Sequence, residues 1–166
     1  MPKTRKLALM AMFTAASLIV FVIEAQIPAP IPVPGVKLGL ANIVTLIAMV
    51  MLGRHEAGLI LLVRIAMGSM FTGGVSAFIF SIAGGALAYA VMCLTLKLFP
   101  EKLLWVVSVL GAIAHNLGQL IAAIIITKTS SLMLYAPVLL ASAVVTGAFT
   151  GLAAMYLTQR LDKRVG

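Results

Sequence analysis

The sequence predicts an all-α integral membrane protein, a single bundle of six transmembrane helices, and three observations predict it. Hydrophobic residues fill 63% of the 166 positions and charged residues 10%, against roughly 45–50% and about 25% in soluble domains. Mean hydropathy is +1.19, so polar side chains are too few to cover a globule and lipid must solvate much of the surface. Pro, Gly and charge divide the chain into six apolar runs. At about 20 residues per span this length allows six crossings and leaves no room for a soluble catalytic domain.

The first run, 7–25, follows Lys3, Arg5 and Lys6. No Ala-x-Ala-like cleavage signal separates it from the next segment, so it reads as a retained helix rather than a signal peptide. Pro28, Pro30, Pro32 and Pro34 alternate through that segment and predict a stiff, extended, non-helical loop. The stretch 38–71 would be about 50 Å long as one helix, too long for a hydrocarbon core of about 30 Å. Gly53-Arg54-His55-Glu56 cuts it into two short helices, 38–52 and 57–71. Beyond Thr72-Gly73-Gly74 come a helix over 75–96, a polar turn from Lys97 to Lys102, and a helix over 103–126. The last helix, 134–157, holds Pro137 near its start, where a helix tolerates proline, and runs into a basic tail.

The net charge of +8 would suggest nucleic acid in a soluble protein, but in a membrane chain it is read loop by loop. Lys3, Arg5, Lys6, Arg54, Lys97, Lys102, Arg160, Lys163 and Arg164 fall on one side of a six-span chain, and Lys37 and Lys128 on the other. This asymmetry predicts a plasma-membrane protein with both termini cytoplasmic and no nucleic-acid partner. The acids, Glu24, Glu56, Glu101 and Asp162, are scattered and make no Asp-rich magnesium motif. The chain has no P-loop, and its single cysteine, Cys93, can form neither an intrachain disulfide nor a Cys-based metal site. Ser108 and His115 lack a carboxylate in their helix to complete a triad. The expectation is a non-enzyme with no cofactor and no metal.

Polar groups at membrane depth are costly and default to candidates for function. Arg64 lies midway along the third helix and requires a partner; Glu24 is the one membrane-associated carboxylate. Arg64 therefore either pairs with Glu24 or backbone carbonyls, or binds ligand. His115, Asn116 and Gln119 form a polar stripe on the fifth helix at helical spacing, which either glues helices together or lines a cavity. Asn42 and Lys37 extend this outward set, as ligand contacts or as a helix cap and interfacial anchor. The substrate-binding candidates are thus Lys37, Asn42, Arg64, Asn116 and Gln119. Ala11-x-x-x-Ala15 places small side chains on one face of the first helix, for packing within the bundle or for a partner helix.

The residues also carry a resemblance. The basic N-terminus, Ala11-x-x-x-Ala15, the Pro-rich segment ending Pro34-Gly35-Val36-Lys37-Leu38-Gly39-Leu40-Ala41-Asn42, then Met51-Leu52-Gly53-Arg54-His55-Glu56-Ala57-Gly58 and Arg64-x-x-x-Gly68-Ser69 resemble the substrate-binding S components of energy-coupling-factor (ECF) importers. More narrowly the chain is similar to the Gx transporter group, whose members carry the label heptaprenyl diphosphate synthase component I. The resemblance implies six helices, a pocket opening outward for a small vitamin-like or precursor molecule, and a membrane coupling subunit driven by two ATPase subunits. It places that coupling subunit on Ala11 and Ala15. The other reading is a non-catalytic membrane subunit associated with heptaprenyl diphosphate synthesis.

The charge asymmetry makes the topology testable with a cysteine introduced at Val165. Membrane-impermeant maleimide should leave it unmodified in intact cells and label it after permeabilisation. Labelling of intact cells would overturn the six-span arrangement.

Overall fold

A computed structural model describes residues 2–27, 37–72 and 74–165. The expected proline-rich loop at 28–35 and Gly73 lie outside the described residues, as do the side chains of Lys163 and Arg164. The described residues form six helices and no strand: α1 (Lys3–Gln26), α2 (Asn42–Met51), α3 (Arg54–Thr72), α4 (Gly74–Thr95), α5 (Leu104–Thr127) and α6 (Ala136–Val165). Short 3-10 turns, Glu101–Leu103 and Ser130–Tyr135, lead into α5 and α6.

Among the described residues four helices, α1, α4, α5 and α6, are long and apolar enough to cross a membrane. The even division expected of 38–71 is not what forms. α2 has 10 residues, because residues 37–41 make a turn around Gly39, whose φ is +77°, a conformation glycine adopts without a Cβ penalty. α3 begins at Arg54, three residues before its expected start, and has 19 residues. Its length is nearly that of a span, but Arg54, His55, Glu56 and Arg64 lower its apolarity.

α5 is the central helix, packed most extensively on α4 and α6. Of its apolar stretch 56% is buried, against 17% in α1 and in α6. Glycine sets the close approach. A Cβ on Gly147 would lie 2.6 Å from the Val109 Cα, and one on Gly151 2.5 Å from the Trp105 Cα. Both pairs are four residues apart, so one face of α6 lies backbone to backbone on one face of α5. This is the small-xxx-small contact that membrane helices use in place of a hydrophobic driving force. Between them the Ser108 and Thr150 hydroxyls hydrogen-bond at 2.9 Å. On the opposite side a Cβ on Gly118 would lie 2.5 Å from the Ala83 carbonyl oxygen of α4. Large apolar side chains cover the outside, among them Ile19 and Ile23 of α1 and Val145, Phe149 and Tyr156 of α6, as lipid contact requires.

The segments that carry the basic excess meet at one end of the bundle. The Lys6 ammonium of α1 forms an ion pair with Glu56 in the first turn of α3. Arg5, Leu52, Lys102 and Gln159, from four separate segments, line a single cavity there. The Lys6 hydrogen bond holds the Glu56 carboxyl below the usual carboxylate range.

Two predictions follow from this packing. Gly151→Leu forces a side chain into the Trp105 backbone and should cost about 1–3 kcal/mol, read as a lowered midpoint of thermal unfolding in detergent; an unchanged midpoint would refute the close contact. The second concerns Glu56. A carboxyl whose folded-state pKa is depressed contributes stability above its unfolded pKa and loses it as pH falls through the folded one. The difference in unfolding midpoint between the wild type and Glu56→Gln should therefore be present at pH 7 and shrink toward zero below the ordinary carboxylate range. A difference independent of pH would show that Lys6 and Glu56 do not act as a charge pair.

Candidate functional site

Away from the basic end, polar side chains from four helices and the 37–41 turn surround a small cavity of about 10 Å³, the room of a single water molecule. α1 supplies Phe21 and Glu24, α3 supplies Arg64, α4 supplies Ser81, α5 supplies His115 and Gln119, and the turn supplies Lys37 and Gly39.

Glu24 is 4% exposed. Its Oε1 accepts the Gly39 N–H, and its Oε2 accepts the Ala41 N–H at 3.4 Å. Both donors lead into α2, whose N-cap residue, Ala41, has no capping side chain of its own. A carboxylate from another helix therefore takes the place of the cap, where free N–H groups and the helix dipole both favour negative charge. Glycine is needed at position 39 for space as well as for its positive φ, since a Cβ there would lie 3.0 Å from the His115 Cδ2.

The Phe21 ring lies against α3 at Gly68, where a Cβ would come within 2.6 Å of it. On that fixed ring sit two cations: the Lys37 Nζ is 4.0 Å from the centroid and the Arg64 Cζ is 5.6 Å from it, both within cation–π range. Arg64 is 3% exposed. Its Nε and the Lys37 Nζ are buried without a hydrogen-bond partner, as is the His115 Nδ1. No ion pair joins Arg64 to Glu24: among the described residues the ion pair is Lys6–Glu56, because the Glu24 oxygens are engaged by backbone N–H groups. The Gln119 Oε1 accepts the Lys37 backbone N–H at 3.0 Å and so ties the turn to α5. His115 fits beside Gly84, where a Cβ would lie 2.9 Å from its ring.

Of the residues singled out in the sequence, the structure brings together Lys37, Arg64 and Gln119, with Glu24 and His115 beside them. Asn42 is buried close to Gly39, its amide without a hydrogen-bond partner, but does not line the cavity. Asn116 points elsewhere. Its Nδ2 donates to the Leu139 carbonyl of α6 at 2.9 Å, which is the interhelical glue reading of the polar stripe. Ala11 and Ala15 are exposed on α1. Phe21 and Ser81 carried no signal in the sequence, since an aromatic or a serine in an apolar run is ordinary for a membrane helix.

A second, larger cavity of about 640 Å³ opens at the basic end. Leu9, Met12, Phe13, Met51, Leu104 and Met155 make its walls apolar, and Arg5 and Lys102 are among its polar residues. No group of three or more His, Cys, Asp or Glu among the described residues could hold a metal ion.

No curated protein and no solved structure matches the chain. The family model described as heptaprenyl diphosphate synthase component I matches residues 13–157, which run from α1 through α6 and include every residue around the small cavity. The chain belongs to the heptaprenyl diphosphate synthase component I family.

Proposed function

We propose that the chain is the substrate-capturing membrane subunit of an ECF-type importer. On this reading it takes a small vitamin-like or precursor molecule from outside the cell into the site around Arg64, and a separate membrane coupling subunit with two ATPase subunits drives delivery. The observation that carries the proposal is the convergence of unpartnered buried polar atoms, the Lys37 Nζ, the Arg64 Nε and the His115 Nδ1, around one cavity. Unpaired groups at membrane depth are costly, and these three belong to side chains from the 37–41 turn, α3 and α5 that face one cavity. The exposed small face of Ala11 and Ala15 leaves room on α1 for the coupling subunit to approach closely. Plasma-membrane insertion with both termini cytoplasmic would put the site on the outward side.

The family description favours a second reading, a non-catalytic membrane subunit associated with polyprenyl diphosphate synthesis. The apolar cavity at the basic end, with Arg5 and Lys102 among its lining residues, suits a chain-like molecule with an anionic head.

Affinity purification of the intact membrane complex from native cells separates the two. Recovery of a coupling protein with two ATPases supports the importer; recovery of a soluble Asp-rich synthase supports the other reading and rejects the first. Ala11→Leu or Ala15→Leu should reduce recovery of the coupling protein several-fold while leaving the unfolding midpoint of the isolated chain in place, because a bulky side chain there meets lipid in the free protein and blocks helix approach in the complex. Full recovery would remove this face from the interface.

A further inference from the structure

Two cations, the buried Arg64 and the half-buried Lys37 with its Nζ turned inward, share the small cavity with one carboxylate, and that carboxylate is already engaged. Both Glu24 oxygens accept backbone N–H groups of the turn into α2, so its charge acts on Lys37 and Arg64 only at a distance. Among the described residues no other carboxylate lines this cavity. The remaining acids are Glu56, Glu101 and Asp162. Glu56 pairs with Lys6 and Glu101 lines the other cavity, both at the basic end of the bundle, while Asp162 lies near the C-terminus of α6, at that same end. Residues 28–36 contain no acid at all. The Phe21 face attracts both cations but carries no net charge and leaves the Lys37 Nζ and the Arg64 Nε without acceptors.

From this imbalance we infer that the molecule captured at this site carries a carboxylate or a phosphate, seated between Lys37 and Arg64 beside the Phe21 ring. The inference rests on the capture reading above and narrows its substrate class. The space that remains is the size of one water, so a carboxylate or phosphate enters only by moving neighbouring side chains apart, and one of its oxygens then supplies the acceptor both cations lack. Arg64 suits the planar, forked recognition of either group. A cationic ligand would be repelled, and a neutral one would leave two buried charges facing one.

The test uses the full chain in phosphatidylcholine nanodiscs, with thermal unfolding followed in sodium acetate, inorganic phosphate or acetamide at an ionic strength fixed with sodium chloride. Acetate or phosphate should raise the midpoint saturably above the chloride control, and acetamide, of the same shape as acetate without its charge, should not. Lys37→Met, outside the helices, should weaken that anion response at least tenfold. In the absence of added acetate or phosphate it should unfold at the same or a higher temperature than the wild type, because an unpaired buried charge has been removed. A midpoint several degrees lower in Lys37→Met with its anion response intact would overturn the inference. So would acetamide matching acetate, or neither anion exceeding chloride. Native mass spectrometry of the protein extracted from its membrane distinguishes the two levels: a retained neutral or cationic small molecule overturns the anion class and leaves capture standing. No retained molecule together with no anion response overturns both.

Discussion

Glu24 sits in the last turn of α1 and holds, through its two carboxylate oxygens, the N–H groups of Gly39 and Ala41 where the chain turns into α2. Much of that end of the bundle follows from that grip. It fixes the start of α2 at Asn42, and thereby makes α2 short. It brings Lys37 over the Phe21 ring. It also uses up the one acid that could have neutralised Arg64. A buried carboxylate on backbone donors at a helix start is well satisfied, so the residue that looks like a charge partner in the sequence is in fact a cap.

The glycine contacts determine where this arrangement can sit. Gly147 and Gly151 press α6 onto α5, and Gly118 presses α5 onto α4, so the last three helices form one closely packed set. α1 packs chiefly on α3, α3 on both α1 and α4, and α2 on both α3 and α6. The site draws on four helices: Phe21, Glu24 and Arg64 come from α1 and α3, Ser81, His115 and Gln119 from α4 and α5, and the Lys37–Gln119 hydrogen bond ties the turn before α2 to α5. A molecule bound there would touch α1, α3, α4, α5 and the turn at once.

Composition and run length made the helical membrane class readable, because they report the solvent of the surface directly. Arg64 and Gln119 were readable as candidates because membrane depth makes each of them expensive, and Lys37 as a charge just outside the second helix. Their geometry was not. Whether Asn116 faced a cavity or a neighbouring helix depended on the rotation of α5, which is set by Gly118 against Ala83, a long-range contact that no local spacing encodes. The shortness of α2 is hidden for a similar reason: hydropathy runs on unbroken from Leu38, and the interruption at Gly39 is held by a carboxylate fifteen residues earlier in the chain.

Much of the molecule is consistent from level to level. Apolar runs become helices, small residues fall at close crossings, Lys6 meets Glu56, and Ser108 meets Thr150. That agreement fails around Phe21, where two cations share a ring and lack acceptors. Folding alone gives no reason to keep both. A leucine or methionine in place of either would pack against an aromatic ring without burying an unpaired charge. Natural sequences break local consistency chiefly where function requires it, and here the break has a definite sign, one positive charge more than the chain can neutralise. The sign is informative because it follows from the count of acids in the whole sequence as well as from the local geometry. Small rearrangements of the Lys37 or Arg64 side chains would change which atoms lack partners, but they would not create a second carboxylate.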